Sequence, residues 1–139
     1  MTKSYQVVGI GNAVSDVIAT TSDAFLAENG VEKGIMQLID QPRAEELFSA
    51  MDVRAETPGG SVANTISGLG SLGVCTAFIG RVADDELGLS YATAMAAEGT
   101  DFPNPPVANA MLPTSRSMIF VSPDGERSMN TYLGISSDV

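Results

Sequence analysis

Histidine does not occur in the 139 residues. Its absence removes Ser-His-Asp triads, Cys-His dyads and the common zinc sites together. Cysteine is nearly absent: Cys75 stands alone between Val74 and Thr76 in an apolar run, so no intrachain disulfide can form. A buried, reduced thiol is the expected state, and a reducing cytoplasm fits it. Cations are scarce. Lys3, Lys33, Arg43, Arg54, Arg81, Arg116 and Arg127 stand against seventeen Asp and Glu, a formal charge of −10. They form no basic stripe, so a nucleic-acid partner is not expected. Acidic excess of this kind serves solubility, and an anionic nucleotide would have to be met by local dipoles and a metal ion. No apolar run approaches the roughly 20 residues of a membrane span, so no membrane partner is expected. Behind Lys3, the glycines 9 and 11 with Asn12 and Asp16 interrupt the first apolar stretch before the core of a signal peptide could form.

Hydrophobic residues make up 44% of the chain, enough for the core of one domain. Residues 5–10 are mostly apolar and end in Gly-x-Gly, the pattern of a buried strand whose chain turns away at the sheet edge. Residues 17–20 continue extended. A short polar segment at 22–30 precedes a second strand at 34–39. Asp40 is placed to cap a helix with Pro42 in its first turn, and Ala44, Leu47, Phe48 and Met51 then follow one face. A helix opening at Ser61 carries Val62, Ile66 and Leu69 at helical spacing and weakens at Gly68, Gly70 and Gly73. Residues 74–82 read as a buried strand. Residues 84–98 read as a helix with acidic residues at its positive end, Leu87, Tyr91 and Met95 on one face, and Gly99 to close it. Residues 100–114, rich in Pro and Asn, read as a loop. Residues 116–121 and 126–133 flank Ser122-Pro123-Asp124-Gly125 and form a hairpin. The alternation β-α-β-α places the chain in the α/β class.

Two glycine patterns carry different weights. Gly68-Leu69-Gly70-Ser71-Leu72-Gly73 matches G-x-G-x-x-G, but it ends a helix where a dinucleotide fingerprint must open one. Close packing of a helix end on a strand explains it better. Gly9-Ile10-Gly11 does follow a strand, yet Val14 stands at the third glycine position, and no acidic residue falls at the distance an NAD site needs. Thr57-Pro58-Gly59-Gly60-Ser61 is more telling. Two residues without side chains let a ligand touch backbone, the helix behind them offers free N–H groups, and Asn64 adds an amide in the first turn. Near the end of the first strand, Asn12 and Asp16 suit a ligand with hydroxyls, since an ionised Asp accepts two hydrogen bonds from a vicinal diol. The alternative is local: Asn12 shapes a turn and Asp16 caps a backbone N–H.

These pieces, with Phe78-Ile79-Gly80-Arg81-Val82-Ala83-Asp84-Asp85-Glu86-Leu87-Gly88, resemble the N-terminal half of the ribokinase-like (PfkB) family of sugar and nucleoside kinases over nearly the whole chain. The resemblance implies part of a three-layer α/β/α sheet with a β-strand lid. The lid would comprise residues 17–39 and 113–133, within a single substrate-binding portion 1–139. It also implies transfer of the γ-phosphoryl of ATP, with Mg²⁺, to a primary hydroxyl. Asn12 and Asp16 would hold ribose hydroxyls, Gly59, Gly60, Ser61 and Asn64 would line the sugar, and Arg127 would lie near the transferred phosphate. Gly-Asn-x-x-x-Asp and Gly-Gly-Ser-x-x-Asn-x-Ile look more like adenosine kinases than ribokinases. Met36 and Met129 would either wall a purine or fill the core. The family's Gly-Ala-Gly-Asp segment, which carries the catalytic base, does not occur in these residues. Base, ATP pocket and most of the Mg²⁺ site are therefore expected in a C-terminal half, and this chain is expected to bind without turning over. Homo-oligomers through the lid strands are a further implication. Other readings stay open: a ribose- or fructose-type sugar kinase, a non-catalytic nucleoside- or sugar-binding module, and a structural α/β interaction protein.

Overall fold

The computed structural model describes residues 4–139, so Lys3 lies outside the described residues. In chain order the elements are β1 (Val7–Ile10), β2 (Val14–Thr20), α1 (Asp23–Glu28), β3 (Met36–Leu38), α2 (Gln41–Ala50) and β4 (Ala55–Gly59). They continue as α3 (Ser61–Ser71), β5 (Thr76–Ile79), α4 (Glu86–Ala97), β6 (Thr100–Asp101), β7 (Ser115–Val121), β8 (Arg127–Tyr132) and a closing 3₁₀ turn, Gly134–Asp138. The chain divides into two compact units. The first comprises Met1–Ser15, Thr57–Ser115 and Leu133–Val139, and the second Asp16–Glu56 and Arg116–Tyr132.

The first unit is built on a parallel sheet in the order β1-β5-β6. Helix α3 packs on β1 and β5, and α4 packs on β6. Between helices and sheet, Ala13, Ala63, Ile66, Phe78, Val82, Tyr91 and Met95 form the core, with Phe102 beside them. The approach of α3 demands small residues. A Cβ on Gly9 would stand 2.5 Å from Ile66, and one on Gly70 would stand 2.9 Å from the Thr100 hydroxyl. Gly70 therefore serves helix packing, as expected for the glycine-rich stretch, although α3 runs through Gly68 and Gly70 before capping at Leu72.

Two expectations fail here. Strand β1 is not buried: Gly9 faces α3, but Val8 and Ile10 on the other face are 50% and 62% exposed. β1 is an edge, paired within this sheet to β5. Cys75 is also exposed. It stands one residue ahead of β5, where its N–H donates to the Gln6 side chain at 3.0 Å.

The second unit holds the sheet ordered β3-β8-β7-β2-β4, with β3 parallel to β8 and β7 antiparallel to it. The hairpin of β7 and β8 is the one read from Ser122-Pro123-Asp124-Gly125, with its positive φ at Gly125. Asp40 caps α2, accepting from the Arg43 N–H at 3.0 Å. The polar segment at 22–30 is a helix instead of a connector: Ser22 accepts from the Phe25 N–H at 3.1 Å, and Phe25 lies on Phe120 at 5.4 Å. Arg116 covers Phe48 of α2 at 4.7 Å. Phe120 and Arg116 thus mark the helix-covered face. Met36, Met129 and Ile119 share one register row of alternate parity, hence the opposite face.

Candidate functional site

In the first unit the sequence-singled residues gather at the start of α3. Gly60 is the N-cap with φ 100° and ψ 135°, and no side chain caps the helix. Ser61 is therefore the first helical residue and not the cap: it is exposed, and its backbone carbonyl accepts from the Thr65 hydroxyl at 3.0 Å. The conformation of Gly60 is closed to L side chains. It is closed sterically as well, since a Cβ would meet the Asn12 carbonyl at 2.6 Å. So Asn12 touches the turn through its backbone. Its side chain is exposed and not buried at the strand end, which removes the burial cost that would have required a partner. Asn64 is exposed too, and its N–H donates to the Gly60 carbonyl at 2.9 Å. The buried Gly59 carbonyl accepts from the Tyr91 hydroxyl of α4 at 3.1 Å.

The start of α4 is built differently. Asp85 caps it, accepting from the Gly88 N–H at 2.8 Å, the Thr114 hydroxyl at 2.7 Å and the Thr114 N–H at 2.9 Å. Thr114 in turn accepts from the Ala83 N–H at 3.0 Å and is wholly buried. A Cβ at Gly88 would lie 2.0 Å from the Ala83 carbonyl, so glycine is required where helix and loop meet. In this network the Gly88, Ala83 and Thr114 N–H groups are all answered by protein side chains. None of Asp85, Tyr91 and Thr114 was singled out from sequence as a site residue. The cap was legible in the acidic start of the helix; partners 29 and 32 residues away were not.

In the second unit Asp16 is half-buried, and burial pushes its carboxyl up to about 6, with Arg127 pulling the other way. Arg127 and Met129 lie two apart on β8 and so share a face, and Met129 is the register partner of Met36. Met36 is 58% exposed and does not fill the core. Asp16, Arg127, Met36 and Met129 therefore belong to one unit, and Asn12, Gly59, Gly60, Ser61 and Asn64 to the other.

Among the described residues no three His, Cys, Asp or Glu side chains converge. No helix among them is long and apolar enough to cross a membrane.

The architecture is α/β and of the ribokinase-like type found in adenosine kinases. The adenosine kinase of Sinorhizobium meliloti is 50% identical and superposes with a TM-score of 0.86, covering 97% of this chain and 41% of that one. A probable sugar kinase from Rhizobium etli CFN 42 is 43% identical, with the same TM-score and the same coverage of both chains. The Anopheles gambiae adenosine kinase, solved with P1,P4-di(adenosine-5) tetraphosphate, is 22% identical at TM-score 0.80 over 95% of this chain and 42% of that one, and speaks to the fold alone. The pfkB family carbohydrate kinase model matches residues 35–139. The chain belongs to that family. It spans about two fifths of the length of these structures. No curated protein matches it.

Proposed function

We propose that this chain is the acceptor-binding part of an ATP-dependent kinase that phosphorylates a primary hydroxyl of a nucleoside, adenosine first among them. The observation that carries the reading is the start of α3, where the helix is left without a side-chain cap behind a glycine fixed at φ 100°. Such a terminus leaves N–H groups for an incoming oxygen. Asn12 and Asn64 add exposed amides beside it. Asp16 would hold two ribose hydroxyls through its carboxylate. Residues 17–39 and 113–133 would act as the lid, with Met36 and Met129 as an apolar wall for the base and Arg127 near the transferred phosphate. ATP, Mg²⁺ and the base that deprotonates the acceptor would be held by residues outside this chain. Phosphoryl transfer rests on positioning and charge stabilisation, so the 139 residues alone should not turn over. A cytoplasmic location and homo-oligomers through the lid strands belong to the same proposal.

Adenosine is favoured by the 50% identity to the S. meliloti adenosine kinase. A sugar acceptor is the second reading, supported by the 43% identity to the R. etli probable sugar kinase. Isothermal titration with adenosine, ribose and fructose separates them. Heat with adenosine alone is the expected result, heat with ribose or fructose alone favours the second reading, and no heat with any of the three overturns both. Incubated with ATP, Mg²⁺ and adenosine, the chain should give no AMP, and robust turnover would refute the placement of the catalytic apparatus elsewhere.

A further inference from the structure

The Gly59–Gly60 turn has two glycines and no capping side chain, so its shape has to be imposed from outside. One constraint is the Asn12 carbonyl pressed into the space of the missing Gly60 side chain. The other comes from α4. Tyr91 is 2% exposed, sits in the core cluster with Ile66, Phe78 and Met95, and meets Phe102 edge-on at 5.6 Å. A hydroxyl in such a cluster is costly unless bonded, and phenylalanine would pack the same space without one. The hydroxyl of Tyr91 donates to the Gly59 carbonyl, at 3.1 Å. The peptide that follows is planar and trans, so fixing the carbonyl of Gly59 also fixes the N–H of Gly60, which points the opposite way.

We propose that Tyr91 is a positioning residue for the acceptor cradle: its hydroxyl orients the Gly59–Gly60 peptide and so the donors with which the start of α3 meets its ligand. This rests on the reading of that turn as the acceptor site. Tyr91→Phe removes one oxygen and keeps the ring packing. Met95→Leu disturbs the same cluster without touching the turn and serves as the control.

Two measurements on the 139-residue chain, both well below the melting temperature, decide the matter. Amide hydrogen exchange at Asn64, whose N–H is bonded to the Gly60 carbonyl, reports the turn; titration with adenosine reports binding. Tyr91→Phe should speed exchange at Asn64 about tenfold more than at the Met95 amide, and weaken adenosine binding about tenfold. Met95→Leu should lower the melting temperature and do neither. Exchange that speeds equally at both amides, or adenosine binding within twofold of the parent, overturns the proposal by reducing Tyr91 to a packing residue. If the parent chain gives no heat with adenosine, the acceptor reading fails by itself. The exchange ratio then still decides whether Tyr91 holds the turn: a local acceleration supports it and a uniform one overturns it.

Discussion

Two helix starts in the same unit are built to opposite plans. At α4 one carboxylate, Asp85, takes three hydrogen bonds and is roofed by Thr114, with Gly88 packed so tightly that no methyl group fits. At α3 the N-cap is glycine and no side chain answers the helix. Ser22 caps α1 and Asp40 caps α2, so among the described α-helices α3 is the one without a side-chain cap. A side-chain cap contributes about 1 kcal/mol, and α3 does without one although its turn is held on both sides. The sealed start carries stability. The open one carries binding, in the reading proposed above.

The largest break in this contrast comes from giving the open turn a side chain. Gly60→Val sets a branched residue at φ 100°, with its Cβ 2.6 Å from the Asn12 carbonyl. Strain of that kind costs about 1–3 kcal/mol before the clash is counted. Adenosine binding should fall below detection in a titration, while circular dichroism keeps the helical signal. Binding equal to the parent's would place the cradle elsewhere.

Asp16→Asn comes next. Charge-assisted hydrogen bonds to two hydroxyls are worth about 1.5–3 kcal/mol, so adenosine affinity should drop about 10- to 100-fold. Stability should move the other way. Because folding raises the Asp16 carboxyl to about 6 from 3.8, its contribution favours the fold below about pH 4 and is lost as pH rises through 6. The amide carries no such charge. The variant should therefore melt at or above the parent at pH 7 and level with it at pH 4. A lower melting temperature at pH 7, with affinity unchanged, would make Asp16 a structural residue.

How much of this contrast could be read in the sequence depends on how local its causes are. Asp40 with Pro42, the acidic start of α4 and the Ser122-Pro123-Asp124-Gly125 turn are signals contained within a few residues, and the elements they announce are present. The Gly-Gly-Ser turn was legible as a turn before a helix. Its lack of a cap was not, because Ser61 is a good capping residue by type and is displaced into the first helical position only by the backbone angles of Gly60. Helix α1 has six residues, too few for a period to show. The exposure of β1 and Cys75 depends on what lies beside them in space, which apolar composition does not report. Tyr91 reads as a core residue from its spacing with Leu87 and Met95; only the fold shows where its oxygen goes.

Asp85→Ala tests the sealed side of the comparison. It strips the cap from α4 and leaves the Thr114 N–H and hydroxyl without their acceptor in a buried place. A lost cap plus unsatisfied buried donors amounts to about 2 kcal/mol, so thermal denaturation should shift down by several degrees. Adenosine affinity, measured well below that transition, should stay within about threefold of the parent. Equal losses of stability and affinity would dissolve the division of labour between the two helix starts.

The smallest effect is the one that links the ligand to the proton. A carboxylate that must be ionised to accept two hydroxyls, but which burial holds near 6, is mostly protonated at pH 5 and mostly charged at pH 7. Adenosine affinity should therefore rise about tenfold between those pH values and level off above. No histidine is present to titrate in that window, which leaves Asp16 as the group expected to set it. Lys33 and Asp124 are paired at 2.5 Å and pushed in opposite directions, up and down, by the hydrogen bond between them, so both keep their charge throughout the range. The profile of Asp16→Asn should be flat. A tenfold rise that persists in that variant would assign the proton to another group and detach Asp16 from the acceptor.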